Sequence, residues 1–532
     1  MTLSRVREIS RHPLQQAASA PIPTSDGAGY LPLALITLLG GVLRFYRLDH
    51  QSLWMDEVLT VLSSHTSLAN VLFDPPVDPN IPPLYYLLMS ALQGLGGSEI
   101  ALRIPSAVVG VLSIPLMCSV ARQWLDRTAL LAALLLAVSP LHVWYSQEAR
   151  PYALLIFLAL LGVRFLQQGL ASRSALAPRI GFAVTMAAAF YVHTVAFAFV
   201  AAMALYVLLV APRTERRAWL GTFAALALLS LPGVYLLLRI PPTVSANPFY
   251  VFNPSHLAYT LWAFATGYSL GPNLIELRTE GAAIVLRSLL LILPIMSVFV
   301  TLLVLGAIRL WHRQRHGLTF LVLGAVVPIS FVVLGSWVTS HPYNVRYTLL
   351  ALPPTLMLLA SGTQLFRARW GQIAAIGFVL TISGASLWNY YFDPRYFRDD
   401  NRGAAAFIRR HAAPSELVIV SAAYTTVPLR HYLGSTPPRL VGYPSDDASR
   451  PAREGGLGAK FVEPRRLEQD FRVLLGDRRS FWLCLSRTFH SDPEGHLRRH
   501  ADENYRRVAE FVGPGVDVVH YVRSDVPDPT SP

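Results

Sequence analysis

The chain has 532 residues, 53% of them hydrophobic and only 14% charged, with a mean hydropathy of +0.41. Soluble domains run about 25% charged, so this composition excludes an ordinary soluble protein and indicates an integral membrane one. The net charge of +13 comes almost wholly from arginine. The arginines cluster in short loops between apolar runs, which points to membrane topology rather than nucleic-acid binding.

Residues 1–29 are polar, arginine-bearing and proline-containing. The apolar run after them lacks a signal-cleavage site and reads as an uncleaved anchor. Eleven spans are predicted, at 30–48, 101–123, 128–145, 151–170, 179–193, 194–212, 217–240, 282–308, 317–338, 346–366 and 371–391. Apolar runs of about 17–25 residues suit membrane helices, and the short alternating strands of a membrane barrel are absent. A single helix over 179–212 would be about 50 Å long against a hydrocarbon core of ~30 Å, so two spans breaking near His193 are expected there.

Charge supports that division. With the N-terminus in the cytoplasm, the inside loops carry Arg5, Arg7 and Arg11, then Arg122 and Arg127, Arg173 and Arg179, Arg213, Arg216 and Arg217, Arg309, Arg313 and Arg315, and Arg367 and Arg369. Acidic residues gather outside. One long helix at 179–212 would put every later basic loop outside, so the positive-inside rule selects eleven spans and places the C-terminus outside. The expected organisation is a cytoplasmic segment 1–29, a membrane domain 30–392 with long outer loops at 49–100 and 241–281, and an extracytoplasmic domain 393–532. The first outer loop reads as two amphipathic pieces, 57–72 and 82–95, of the kind that lie in the interface plane.

Beyond 393 the composition becomes that of a soluble α/β domain, large enough for its own core. Segments 416–420 and 481–485 read as buried strands, 402–410 as an amphipathic helix, and the Pro/Gly-rich stretch 444–466 as a loop. Cys118 lies in a span and Cys484 in the tail, so neither a disulfide nor a metal cluster is expected.

The unusual polar residues near spans all fall on the outer face. They are Asp56 and Glu57 within Ser52-Leu-Trp-Met-Asp-Glu57; Asp78 and Tyr85 within Asp78-Pro-Asn-Ile-Pro-Pro-Leu-Tyr-Tyr86; Tyr145, Glu148 and Arg150 within Tyr145-Ser-Gln-Glu-Ala-Arg-Pro-Tyr152; His193; and His341, Arg346 and Tyr347 within Ser340-His-Pro-Tyr-Asn-Val-Arg-Tyr347. Each has a bland alternative. Ser52 could cap a helix whose first turn holds Asp56 and Glu57. Glu148 and Arg150 could be a surface pair worth little, His193 a satisfied interfacial histidine, and Arg346 a snorkelling side chain. Pro82-Pro83 could be only a turn. Each of these alternatives is fair singly, but together they leave the one-sided clustering unexplained.

Asp-Glu in the first outer loop, then Pro-Pro-Leu-Tyr-Tyr, Gln-Glu-Ala-Arg-Pro-Tyr, and Arg-Tyr before a Leu/Pro-rich span, together resemble the family-39 type of GT-C glycosyltransferase. That group includes protein O-mannosyltransferases and lipid A aminoarabinose transferases. The resemblance covers about 30–391. It implies a polyprenyl-phosphate-linked sugar donor and transfer on the outer face, to a lipid, glycan or protein acceptor. It assigns Asp56 to acceptor activation, with Glu57 its neighbour, and makes Arg346 the holder of the donor phosphate. Asn80 departs from the pattern, since many members carry a charged residue or histidine before Pro-Pro.

The residue types fit that chemistry. An incoming hydroxyl needs a carboxylate, for which Asp56, Glu57 and Glu148 are the candidates. The leaving phosphate needs cations rather than a proton donor, and Arg346 and Arg150, with Tyr347, are suited to bind it. Asp78, Tyr85, Tyr145, His193 and His341 are candidates for contacting substrate. A single displacement with inversion suffices. No cofactor is required, and a divalent metal is compatible with the residues but not demanded. A lipid-linked-sugar flippase or transporter is the alternative, but it should show internal repeats and midplane charges, and neither is evident.

Overall fold

The computed structural model describes residues 30–65, 69–70, 81–92, 94, 96–172, 176–239, 252–339, 343–444 and 461–523. Each predicted span coincides with helix. Among the described residues, seven helices are long and apolar enough to cross a membrane: Glu99–Leu125, Tyr152–Ala171, Arg213–Leu238, Leu289–Arg313, Arg315–Val338, Val345–Leu365 and Arg369–Phe392. An eighth span forms if Ala129–Val138 and Pro140–Ser146, bent by 59°, count as one. The other three apolar helices are shorter: Tyr30–Phe45, Leu176–Val192 and Ala196–Val210. The last two are separated at His193, as the length argument requires.

The bent span shows how an apolar chain tolerates a break. Pro140 follows Ser139 and cannot continue the helix hydrogen bonding, so the last carbonyls of Ala129–Val138 lose their partners. The buried Arg44 guanidinium replaces them, donating to Leu136 O at 3.1 Å, Ala137 O at 2.9 Å and Gly40 O at 2.9 Å. Arg44 also meets His142 Nδ1 at 2.7 Å. Elsewhere helix packing is close. A Cβ on Gly306 would lie 2.0 Å from Leu358 O, and one on Gly362 2.0 Å from Leu302 O, so two backbones touch where both helices carry glycine.

The C-terminal domain is a five-stranded sheet in the order β2-β1-β3-β5-β4. Its strands are β1 (Leu417–Ser421), β2 (Arg439–Tyr443), β3 (Ser480–Ser486), β4 (Tyr505–Gly513) and β5 (Val516–Arg523). β1 runs parallel to β2 and β3, while β5 is antiparallel to β3 and β4. β1 is buried along its whole length, as its unbroken apolar sequence demands. Leu417, Ile419 and Leu483 pack with Phe471 and Leu497 in one cluster, and Val418, Val420 and Trp482 with Ile408 and Leu429 in another. Both anticipated strands and the amphipathic helix, Asn401–His411, are present. Most of the anticipated loop 444–466 lies outside the described residues.

The first outer loop departs from expectation in two ways. Its helices are shorter than the expected 57–72 and 82–95, at Met55–Ser64 and Leu84–Ala91, and they pack on one another. Val58 and Val61 pack with Tyr85, Tyr86 and Met89, while Met55 packs on Ala422 and Tyr424 of the C-terminal domain. Ser52 does not cap the helix. Its hydroxyl donates to Asp399 O at 2.7 Å and accepts from Asn401 N–H at 3.1 Å, anchoring the start of the C-terminal domain.

Candidate active site

Adjacent carboxylates at the start of helix Met55–Ser64 point to different surroundings, because successive helical residues lie about 100° apart. Glu57 is fully buried. Its carboxylate accepts from Arg103 Nε and Nη2, both at 2.8 Å, and from Ala149 N–H at 2.9 Å. Arg398 Nη1 and Trp54 N–H add weaker contacts at 3.4 Å. Burial alone would raise its pKa, but the Arg103 and Arg398 charges and the Ala149 N–H outweigh burial and hold the carboxyl below its ordinary range.

Asp56 is more open, with 17% of its side chain exposed. Its Oδ2 pairs with Arg346 Nη1, and Arg150 Nη2 lies 3.7 Å from the same oxygen. Arg150 is buried and also donates to Asp56 O at 3.2 Å. Arg346 is placed by Asn344, whose side chain accepts from Arg346 N–H at 3.2 Å and starts the short helix Val345–Ala351. Its guanidinium lies 5.2 Å from the centre of the Tyr347 ring.

Glu148 is buried beside this pair. Its Oε1 accepts from Trp144 Nε1 at 2.8 Å and Arg398 Nη2 at 2.7 Å, whereas its buried Oε2 has no hydrogen-bond partner among the described residues. Burial pushes its carboxyl up to about 7; Arg398 and Arg150 oppose the rise, and Glu57 and Asp56 add to it. Among the described residues, four arginines (Arg103, Arg150, Arg346 and Arg398) thus meet three carboxylates, a balance that favours an anionic ligand.

The structure brings Asp56, Glu57, Glu148, Arg150, Arg346 and Tyr347 together. His193 borders them, its ring 5.6 Å from that of Tyr347 and 5.5 Å from that of Tyr152, with Nδ1 accepting from Val195 N–H at 3.3 Å. The Tyr145 hydroxyl shares a 2.9 Å hydrogen bond with Tyr268 of the second long loop. Tyr85 is buried in the apolar cluster behind helix Met55–Ser64. Asp78 and His341 lie outside the described residues. Among the described residues no group of three or more His, Cys, Asp or Glu is arranged to hold a metal ion.

Sequence reasoning missed three contributors. Arg103 had a signal, being an ionisable residue four positions into an apolar span. Arg398 had none: Tyr396-Phe-Arg-Asp-Asp400 reads as a polar linker. Arg487 of the C-terminal domain, 2.6 Å from Asp399 Oδ2 and over the Trp54 ring, likewise reads as a surface residue.

Residues 80–238 match the family model described as dolichyl-phosphate-mannose-protein mannosyltransferase. No curated protein matches the chain by sequence. Among solved structures, ArnT from Cupriavidus metallidurans bound to undecaprenyl phosphate is 16% identical, with a TM-score of 0.52 over 94% of this chain and 99% of that one. The Archaeoglobus fulgidus oligosaccharyltransferase in complex with Zn and sulfate is 12% identical, with a TM-score of 0.51 over 92% of this chain and 73% of that one. At such identities the likeness speaks for the fold. The chain is a multi-pass membrane protein with the architecture of the GT-C glycosyltransferases, and the resemblance drawn from its motifs is borne out.

Proposed function

We propose that this glycosyltransferase moves a sugar from a polyprenyl-phosphate donor to an acceptor hydroxyl on the outer face of the plasma membrane, by one in-line displacement with inversion. The observation that carries the reading is the three-way contact of Asp56 Oδ2 with Arg346 and Arg150. In the free protein the carboxylate occupies the arginines. A donor phosphate competes for the same guanidiniums, which suit bidentate contact with its oxygens, and so releases Asp56 toward the acceptor.

The acceptor oxygen then forms a bond to the anomeric carbon as the carbon–phosphate oxygen bond breaks. The electron pair leaves with the lipid phosphate, and the hydroxyl proton passes to Asp56. Positive charge developing at the anomeric carbon is stabilised by preorganised negative charge nearby, which an ionised Glu148 supplies. Glu57, its acceptor capacity filled by Arg103 and Ala149, holds the loop that presents Asp56. Tyr347, Tyr145 and His193 line the approach. The distribution of basic loops puts the N-terminus in the cytoplasm and the C-terminal domain outside.

The test is mass spectrometry of lipid co-purifying with the protein, followed by transfer from synthetic polyprenyl-phosphate sugars in detergent. Bound polyprenyl phosphate and release of free lipid phosphate on adding acceptor support the reading. Lipid sugar moved across a vesicle with its phosphate bond intact would replace it with transport.

A further inference from the structure

The linker between the last span and the C-terminal domain does more than connect them. Arg398 sits in it, and only 6% of its side chain is exposed. The guanidinium bridges two carboxylates from different parts of the chain, with Nη2 2.7 Å from Glu148 Oε1 and Nη1 3.4 Å from Glu57 Oε2. It also lies 4.7 Å from the centre of the Trp144 ring, whose Nε1 donates to the same Glu148 oxygen. The linker is held on both sides of this residue. Arg398 N–H donates to Gln51 Oε1 at 3.1 Å, Asp399 O accepts from Ser52, and the Asp399 carboxylate pairs with Arg487 at the carboxyl end of β3.

We propose that Arg398 is a positioning residue of the transfer site, through which seating of the C-terminal domain sets the charge carried by Glu148. The proposal rests on the functional reading above and gives the C-terminal domain a part in it. Seated, the domain holds the linker so that Arg398 serves as the cation of Glu148, while Glu57 keeps Arg103 as its own. Unseated, Glu148 keeps the neighbouring Glu57 and Asp56 charges but loses its closest cation, and it holds its proton to higher pH. The other groups facing Glu148 are Asp56 and Glu57 from helix Met55–Ser64, Arg150 from its own turn, and the phenols of Tyr85, Tyr145, Tyr268 and Tyr390. Arg398 is the cation among them that the linker delivers.

The experiment compares full-length wild type, Arg398→Gln, Arg398→Lys, Glu148→Gln and the Arg398→Gln/Glu148→Gln double variant in detergent. The first readout is the pH–rate profile with a polyprenyl-phosphate sugar. Wild type should show a rising limb near pH 7, set by ionisation of Glu148. An opposite charge close by lowers a carboxyl pKa by about 1–3 units, so Arg398→Gln should move the limb upward by about that much. Arg398→Lys should leave it near wild type, and Glu148→Gln should abolish it. A rate lowered equally at every pH, with the limb unmoved, would make Arg398 merely structural and overturn the proposal.

The second readout, thermal stability against pH, needs no substrate. A carboxyl raised on folding binds its proton more tightly in the folded state, so stability falls as pH rises from 4.5 to about 7. Arg398→Gln should extend that fall to higher pH, and Glu148→Gln should remove it. If Arg398→Gln alone fails to fold, recovery in the double variant supports the proposal and no recovery refutes it. Wild type without transferase activity would defeat the functional reading while leaving this stability cycle to decide the coupling.

Discussion

The same chemical change at two adjacent residues should have opposite consequences. Asp56→Asn and Glu57→Gln each replace a carboxylate by its amide. At position 57 the carboxylate is fully buried and serves Arg103 through both oxygens, Ala149 N–H, Trp54 N–H and Arg398. A glutamine offers one acceptor oxygen and turns an NH2 toward groups that are themselves donors. Arg103 is then a buried cation without its anion, and breaking a buried pair from one side costs about 3–5 kcal/mol. At position 56 the partners are Arg346, 14% exposed, and the buried Arg150, which keeps its 3.2 Å contact to Asp56 O whatever the side chain; the near-isosteric amide still offers an oxygen to both, so the stability cost should be smaller than at position 57. The amide cannot accept the acceptor's proton, however, and general-base contributions are typically about 10²–10⁴-fold in rate. Thermal unfolding in detergent and single-turnover transfer at saturating donor separate the two effects. Glu57→Gln should melt early, and whatever remains folded should turn over; Asp56→Asn should melt near wild type with turnover down by that factor. An Asp56→Asn protein that turns over normally would refute the assignment of Asp56, and a Glu57→Gln protein of normal stability would refute the structural role of Glu57.

Arg346→Lys keeps the charge but loses the planar fork, so donor binding should weaken more than acceptor binding in a Kd and KM comparison; unchanged donor affinity would move the phosphate-holding role to Arg150. Gly362→Ala puts a methyl against the Leu302 carbonyl, and overpacking of this kind costs about 1–3 kcal/mol. The melting temperature in detergent should fall accordingly, and an unchanged one would show that the two helices part freely. Lys460 is the only lysine in the chain; a membrane-impermeant amine reagent should label it in intact cells, with the N-terminal amine resolved by peptide mapping. Labelling only after lysis would place the C-terminal domain in the cytoplasm.

The sequence alone determined where the apolar helices lie, because a long run of apolar residues is a local property. It also determined the break at His193, the two central strands of the C-terminal domain, and the gathering of Asp56, Glu148, Arg150 and Arg346 at one level, since topology alone puts those loops together. Only the tertiary structure decided which partners each carboxylate meets. Asp56 and Glu57 are neighbours in sequence with the same charge, and what separates them is Arg103, 46 residues away from Glu57. Glu148 depends on Arg398, 250 residues away, a residue with no distinguishing pattern around it. Ser52 looked like a helix cap and instead holds Asp399 and Asn401, because a hydroxyl takes whichever partner folding brings within reach. Periodicity and hydropathy report which face of a helix is buried, but an ion pair is specified by two distant positions at once, and neither carries a mark of the other until the chain has packed.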